Sequence, residues 1–116
     1  MSAATAEHAV NRLIEGLPRR ARNGILQRCE PVDLDFGAIL CEPDRRLQHV
    51  YFPLTATISL VAPVAGHPPI EMGLIGDEGM LGATVVLGVD AARLRGVVQG
   101  SGTALRLTTS QLRQEL

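Results

Sequence analysis

The sequence has no lysine, no tryptophan and only three other aromatic residues, Phe36, Tyr51 and Phe52. Without a ring series it lacks the stacking platform on which single-stranded nucleic acid is bound. Eleven basic residues, all Arg, stand against twelve acidic ones, so the net charge is −1 and the pI about 6.3. No basic face of the kind that neutralises phosphates follows from that balance. The two cysteines, Cys29 and Cys41, are too few for a disulfide scaffold or an iron–sulfur cluster and are not spaced as a zinc site. No apolar run approaches the length of a membrane span, and the N-terminus has no apolar signal-peptide core. These absences predict a cytoplasmic protein with reduced thiols that does not engage a membrane. At 116 residues there is enough chain for one core.

What is present is organised by glycine, proline and alternation. Ala6, Ala9, Val10, Leu13 and Ile14 recur at helical spacing within residues 5–16, closed by Gly16. Pro18 suits a first helical position, and a second helix to Arg28 would turn Ile25 and Leu26 inward, with Arg19, Arg20, Arg22 and Arg28 on a solvated face. From Glu30 the period falls to two. Val32, Leu34 and Phe36 alternate with Asp33 and Asp35 up to Gly37, and Ala38 to Cys41 is a second short strand. His49 to Val61 is the longest β-type run, with Pro53 inside it marking an edge position or a bulge. A turn over Ala65-Gly66-His67-Pro68 leads to a hairpin partner, Ile70 to Ile75.

The segment Gly73-Leu74-Ile75-Gly76-Asp77-Glu78-Gly79-Met80-Leu81-Gly82 carries four glycines and an acidic pair. Glycines at this density let a backbone take positive φ and approach a ligand or a strand closely. Glu78 is expected to cap amides of this loop or to pair with Arg93 or Arg95. Thr84 to Leu87 reads as one helical turn stopped by Gly88, and Gly96–Gly100 and Thr103–Leu107 as closing strands. Thr108 to Ser110 is a helix start signal for a last segment that ends at Leu116 after about two turns. Short strands between turns, with helices at both ends, predict a mainly β fold, a barrel or jelly roll.

Leu17-Pro18, the segment from His49-Val50-Tyr51-Phe52-Pro53 to Leu60, Gly76-Asp77-Glu78-Gly79-Met80-Leu81-Gly82 and Ala104-Leu105-Arg106-Leu107 together resemble the N-terminal sensor domain of Crp/Fnr-type bacterial transcription regulators. The resemblance covers roughly residues 15–116. It implies a jelly-roll (double-stranded β-helix) barrel of the cyclic-nucleotide-binding-domain type with short flanking helices. The corresponding division is a single sensor domain over 1–116, with N-terminal helices in 1–29, the jelly roll in 30–107 and the start of a truncated dimerisation helix in 108–116. It also implies a small-molecule effector, a homodimer in the full-length protein, and DNA binding only through a C-terminal helix-turn-helix part missing here.

Members that bind a cyclic nucleotide carry a Gly-Glu pair for the ribose and an Arg for the phosphate, because a buried phosphate requires a cation and the 2′-hydroxyl an acceptor. Here Gly82 is followed by Ala83, and with Gly96 in register Leu94 stands where that Arg belongs. Arg95 is one residue out, hence on the other face. Cyclic-nucleotide binding is therefore doubtful, and no other cofactor, metal or catalytic group is expected. The candidate ligand-binding residues are Gly76, Glu78, Gly79, Gly82, Arg93 and Arg95. His8, His49 and His67 are dispersed over a helix, a strand and a turn, which argues against haem ligation and against a cupin-like metal enzyme. Asp77 and Glu78, adjacent on a loop, do not form an acid–base pair. Two functions stay open: an effector-sensing domain that acts through a dimer helix, and a ligand-free structural or dimerisation module of the same regulator.

Overall fold

A computed structural model describes residues 9–88 and 92–116. The helix expected over residues 5–16 is shorter in the structure. α1 spans Arg12–Glu15, Ala9 and Val10 precede it without helical form, and residues 1–8 lie outside the described part. Asn11 sets that start, because its Oδ1 accepts from the Ile14 N–H at 3.1 Å and so caps the helix there. α2 spans Arg19–Arg28 with Pro18 as its N-cap residue. It buries Ile25, whereas Leu26, expected inward, is exposed.

Seven strands follow among the described residues: β1 Glu30–Leu34, β2 Ile39–Cys41, β3 His49–Pro53, β4 Thr57–Val64, β5 His67–Ile75, β6 Arg95–Gly100 and β7 Gly102–Thr108. They form two antiparallel sheets, one in the order β1-β7-β3 and one in the order β2-β6-β4-β5. A 3-10 turn at Ala83–Leu87 ends at Gly88, and α3 spans Thr109–Gln114. The α3 start is a capping box, in which Thr108 and Gln111 each accept from the other's backbone N–H.

Three expectations about the strands change. The run from His49 to Val61 is two strands in different sheets: β3 stops at Pro53, and β4 begins at Thr57 after a bend held by the Thr103 carbonyl. Pro53 does lie on the edge strand β3, where its missing N–H costs no ladder bond. Phe36 is not part of the alternation and is 72% exposed, because Asp35 opens a turn in which the Ala38 N–H donates to the Asp35 carbonyl. The hairpin turn is confined to Ala65 and Gly66, so His67 and Pro68 already belong to β5.

Alternation in the three-stranded sheet divides two buried clusters. Val50, Phe52 and Leu107 face the helices and pack with Ile14, Ile25, Val85 and Leu112. Tyr51 and Ala104 face the other sheet and pack with Leu34, Ile58, Leu81 and Val98. This is a jelly roll with its interior between the sheets and a second apolar layer beneath the helices.

α3 is also tied back to α2. Arg28 donates to Glu115 Oε1 at 2.7 Å and to Gln114 Oε1 at 2.6 Å, so it does not belong to a merely solvated arginine face. Gly24 makes room for that carboxylate, since a Cβ there would lie 2.0 Å from Glu115 Oε2.

Candidate ligand-binding site

The glycine loop leaves β5 at Gly76 and is fastened from two sides. On one side Leu81 forms a single antiparallel bridge to the free edge of β3, with the Leu81 N–H donating to the Tyr51 carbonyl at 2.8 Å and the Tyr51 N–H returning the bond at 3.1 Å. Gly82, the next residue, has φ +108°, and a Cβ there would lie 2.5 Å from Val50 Cγ1. Only glycine meets both demands.

On the other side, the buried Asn11 amide donates at 2.9 Å to the Gly79 carbonyl and at 2.9 Å to the Pro53 carbonyl. The Arg12 N–H donates to the Asp77 carbonyl at 2.6 Å, and the Arg12 guanidinium to Asp77 Oδ1 at 3.0 Å. Asn11 was not among the predicted residues. Its signal in the sequence, an Asn before an apolar helical segment, is a capping signal and says nothing of contacts to residues 42 and 68 positions away.

Glu78 takes the first of its two expected roles. Its Oε1 accepts from the Gly76 N–H at 3.2 Å. Among the described residues its nearest cation is Arg12, at 3.9 Å, not Arg93 or Arg95. Gly79 closes the turn by donating to the Gly76 carbonyl at 3.2 Å. Gly76, Glu78 and Gly79 therefore shape and anchor the loop.

Between this loop, β4 and the approach to β6 lies a cavity of about 190 Å³. Leu60, Ile75, Met80, Leu81 and Leu94 supply apolar walls, with Gly82, Ala83 and Thr84 along one rim. Of the six predicted site residues it gathers two, Gly82 and Arg93. Arg93 is exposed and lines the cavity from a bend just before β6.

Arg95 is elsewhere. In β6, Gly96 and Val98 are buried towards the interior while Arg95 is of opposite parity, and its Nε bonds Glu42 Oε1. Leu94, of interior parity, occupies the cavity wall. The offset read from the sequence thus has a physical outcome, in which the β6 cation is turned away and paired, and the interior position is a hydrocarbon.

The thiols are free and half-buried. Burial pushes Cys29 up to about 11. Cys41, whose Sγ donates to the Leu94 carbonyl at 3.5 Å on the cavity side, is also raised, chiefly by burial, against the opposing effect of a hydrogen bond from Gly96. Neither is a thiolate at neutral pH. His49 leads into β3 with its ring 6.4 Å from that of Tyr51. Among the described residues no three His, Cys, Asp or Glu side chains are grouped to hold a metal ion, and no helix is long and apolar enough to cross a membrane.

No protein-family model matches the chain, nor does any curated protein by sequence. Solved structures do match. A cyclic nucleotide-binding-like protein from Brucella abortus superposes with a TM-score of 0.72 at 17% identity, over 89% of this chain and 88% of its own. The N-terminal domain of a transcriptional regulator from Streptomyces coelicolor gives 0.74 at 15% identity, over 91% and 74% respectively. The sensor domain of the transcriptional regulator DNR from Pseudomonas aeruginosa gives 0.72 at 11% identity, over 90% and 70%. At these identities the likeness is one of fold. The chain has the jelly-roll fold of cyclic-nucleotide-binding-like domains.

Proposed function

We propose that this chain is the effector-sensing, regulatory domain of a transcription regulator and that its effector is not a cyclic nucleotide. The observation that carries this reading is the apolar cavity beside the glycine loop, in a fold shared with the sensor and N-terminal domains of transcriptional regulators. A cyclic nucleotide buries its phosphate against a cation. Here Leu94 and Ala83 stand on the cavity wall, Arg95 is engaged with Glu42, and the lining cation among the described residues, Arg93, is exposed to solvent.

A route for transmission supports the reading. Ala83 and Thr84 line the cavity, and the next residue, Val85, is buried in the same cluster as Leu112 of α3. A ligand that displaces the 3-10 turn therefore presses on the helix that leaves the barrel. In this reading residues 1–116 are one sensor domain, α3 begins a dimer helix, and a DNA-binding part completes the protein.

The test is independent of ligand identity. Xenon enters apolar cavities of this size, and an amide NMR titration under xenon pressure follows where its effect goes. The expected result is shifts at Leu81, Thr84 and Leu94 that extend to Gln111 and Leu112. Shifts that stop at the cavity wall would favour a structural module with no sensing role. A saturable response to cyclic AMP at micromolar concentration would refute the exclusion of nucleotides.

A further inference from the structure

Resting on that reading, we propose that the effector is a small carboxylic acid, one ring or a short chain in size, with its hydrocarbon in the cavity and its carboxylate on Arg93. Size is the first argument. An apolar cavity of roughly 150 Å³ accepts benzene, whereas pockets for drug-sized ligands run from roughly 300 to 1,000 Å³. At about 190 Å³ this cavity holds a ring or a short chain and little more.

Wall chemistry is the second. Leu60, Ile75, Leu81 and Leu94 offer no hydrogen bond from their side chains, and Met80 is a flexible thioether that adapts to irregular shapes. The Cys41 thiol in the wall already donates to the Leu94 carbonyl. A polar body buried here would lose its hydration without replacement, so hydrocarbon is the part of the ligand that enters.

Charge is the third. Arg93 is the one ionisable lining residue carrying charge at neutral pH among the described residues, and it makes no hydrogen bond or ion pair with any of them. Its neighbour Arg95, like Arg12, Arg28 and Arg106, is held by a carboxylate. A guanidinium at the mouth of an apolar cavity complements a ligand with one anionic end, which it can take with two parallel hydrogen bonds. Thr84 also lines the cavity. The geometry assigns positions as well: the carboxylate stays at the mouth and the hydrocarbon points towards Leu81.

The experiment compares hexanoate with hexanol and benzoate with benzyl alcohol by isothermal titration, on the native chain and on Arg93→Gln. The acids are expected to bind the native chain about tenfold more tightly than the alcohols. In Arg93→Gln, an exposed substitution that leaves the fold intact, that preference disappears while alcohol affinity is unchanged. Equal binding of acid and alcohol to the native chain, or a preference that survives in Arg93→Gln, overturns the assignment of Arg93. Xenon uptake with no binding of either acid overturns the ligand class and leaves the sensor reading standing. Acid binding with no response in α3 leaves the ligand class and removes the sensor reading.

Discussion

The two sheets share one interior and differ in what covers their outer faces. The three-stranded sheet is apolar on both sides, with Tyr51 and Ala104 towards its partner sheet and Val50, Phe52 and Leu107 beneath α1, α2 and α3. The four-stranded sheet is packed fully on one side and thinly on the other. One row across it, Ile39, Val97, Ser59 and Leu74, lies on the outer face; Ile39 and Leu74 are each 54% exposed, while Ser59 is buried beneath Glu71, to whose Oε1 it donates at 2.7 Å. Its edge strand β5 is exposed from His67 to Met72. The cavity opens against this second sheet, through Leu60 and Ile75. Stability should therefore concentrate in the doubly covered sheet, and the capacity to yield to a ligand in the other, since local opening follows low packing.

The sharpest way to break this comparison is Phe52→Ala. Phe52 is 2% exposed under the helices, and its truncation is expected to cost about 3–5 kcal/mol in urea unfolding. A loss below about 1 kcal/mol would mean that the helical layer is not a core. Gly82→Ala comes next, at an expected cost of about 2–4 kcal/mol, because it combines a left-handed φ with a clash against Val50. Native-state hydrogen exchange should show the loss first at Tyr51 and Leu81, where the loop is bridged to β3.

Asn11→Ala removes a helix cap and two amide bonds and is expected to cost about 1–3 kcal/mol. Its diagnostic is faster exchange at the glycine loop than at β1 and β7. The thiol on the helical side provides a pH test. Cys29 is raised from 9.0 to about 11 by burial, so the folded state keeps its proton where the unfolded state gives it up. That contribution is complete below pH 9 and is lost as pH rises towards 11. Cys29→Ser, compared with the native chain, should flatten the alkaline fall in melting temperature; an identical fall in both would remove Cys29 from the account. The smallest effect is expected at Leu74→Ser on the outer face of β5, within about 0.5 kcal/mol. A larger loss would show that this row is covered in solution and that the two sheets are more alike than they look.

Much of this was legible along the chain because it is written at short range. The helix start within Thr108 to Ser110, the stops at Gly16 and Gly88, the turn around Gly66 and the fold class all rest on contacts within a few residues or on a period of two. The offset that turns Arg95 outward is likewise a matter of strand parity. The errors have one origin. Phe36 continued the alternation in composition but not in space, because Asp35 began a turn. The run from His49 to Val61 read as one strand because both halves are β-type, and only pairing with β7 or with β5 and β6 separates them. Of the six candidate site residues, Gly82 and Arg93 line the cavity, Gly76, Glu78 and Gly79 build the loop that bounds it, and Arg95 is bonded to Glu42.

The sequence by itself determined the fold class, most of the turns that glycine and proline permit, and the strand parity that sets Leu94 and Arg95 on opposite faces. Propensity, capping and side-chain parity act between near neighbours, so they survive in a linear reading. Tertiary structure alone decided that Asn11 is a buried clamp on the glycine loop, that Arg95 belongs to Glu42, and that Arg93 is left at the mouth of an apolar cavity. Each of these joins residues far apart in the chain, and which distant groups meet is settled only when both sheets close on a shared core.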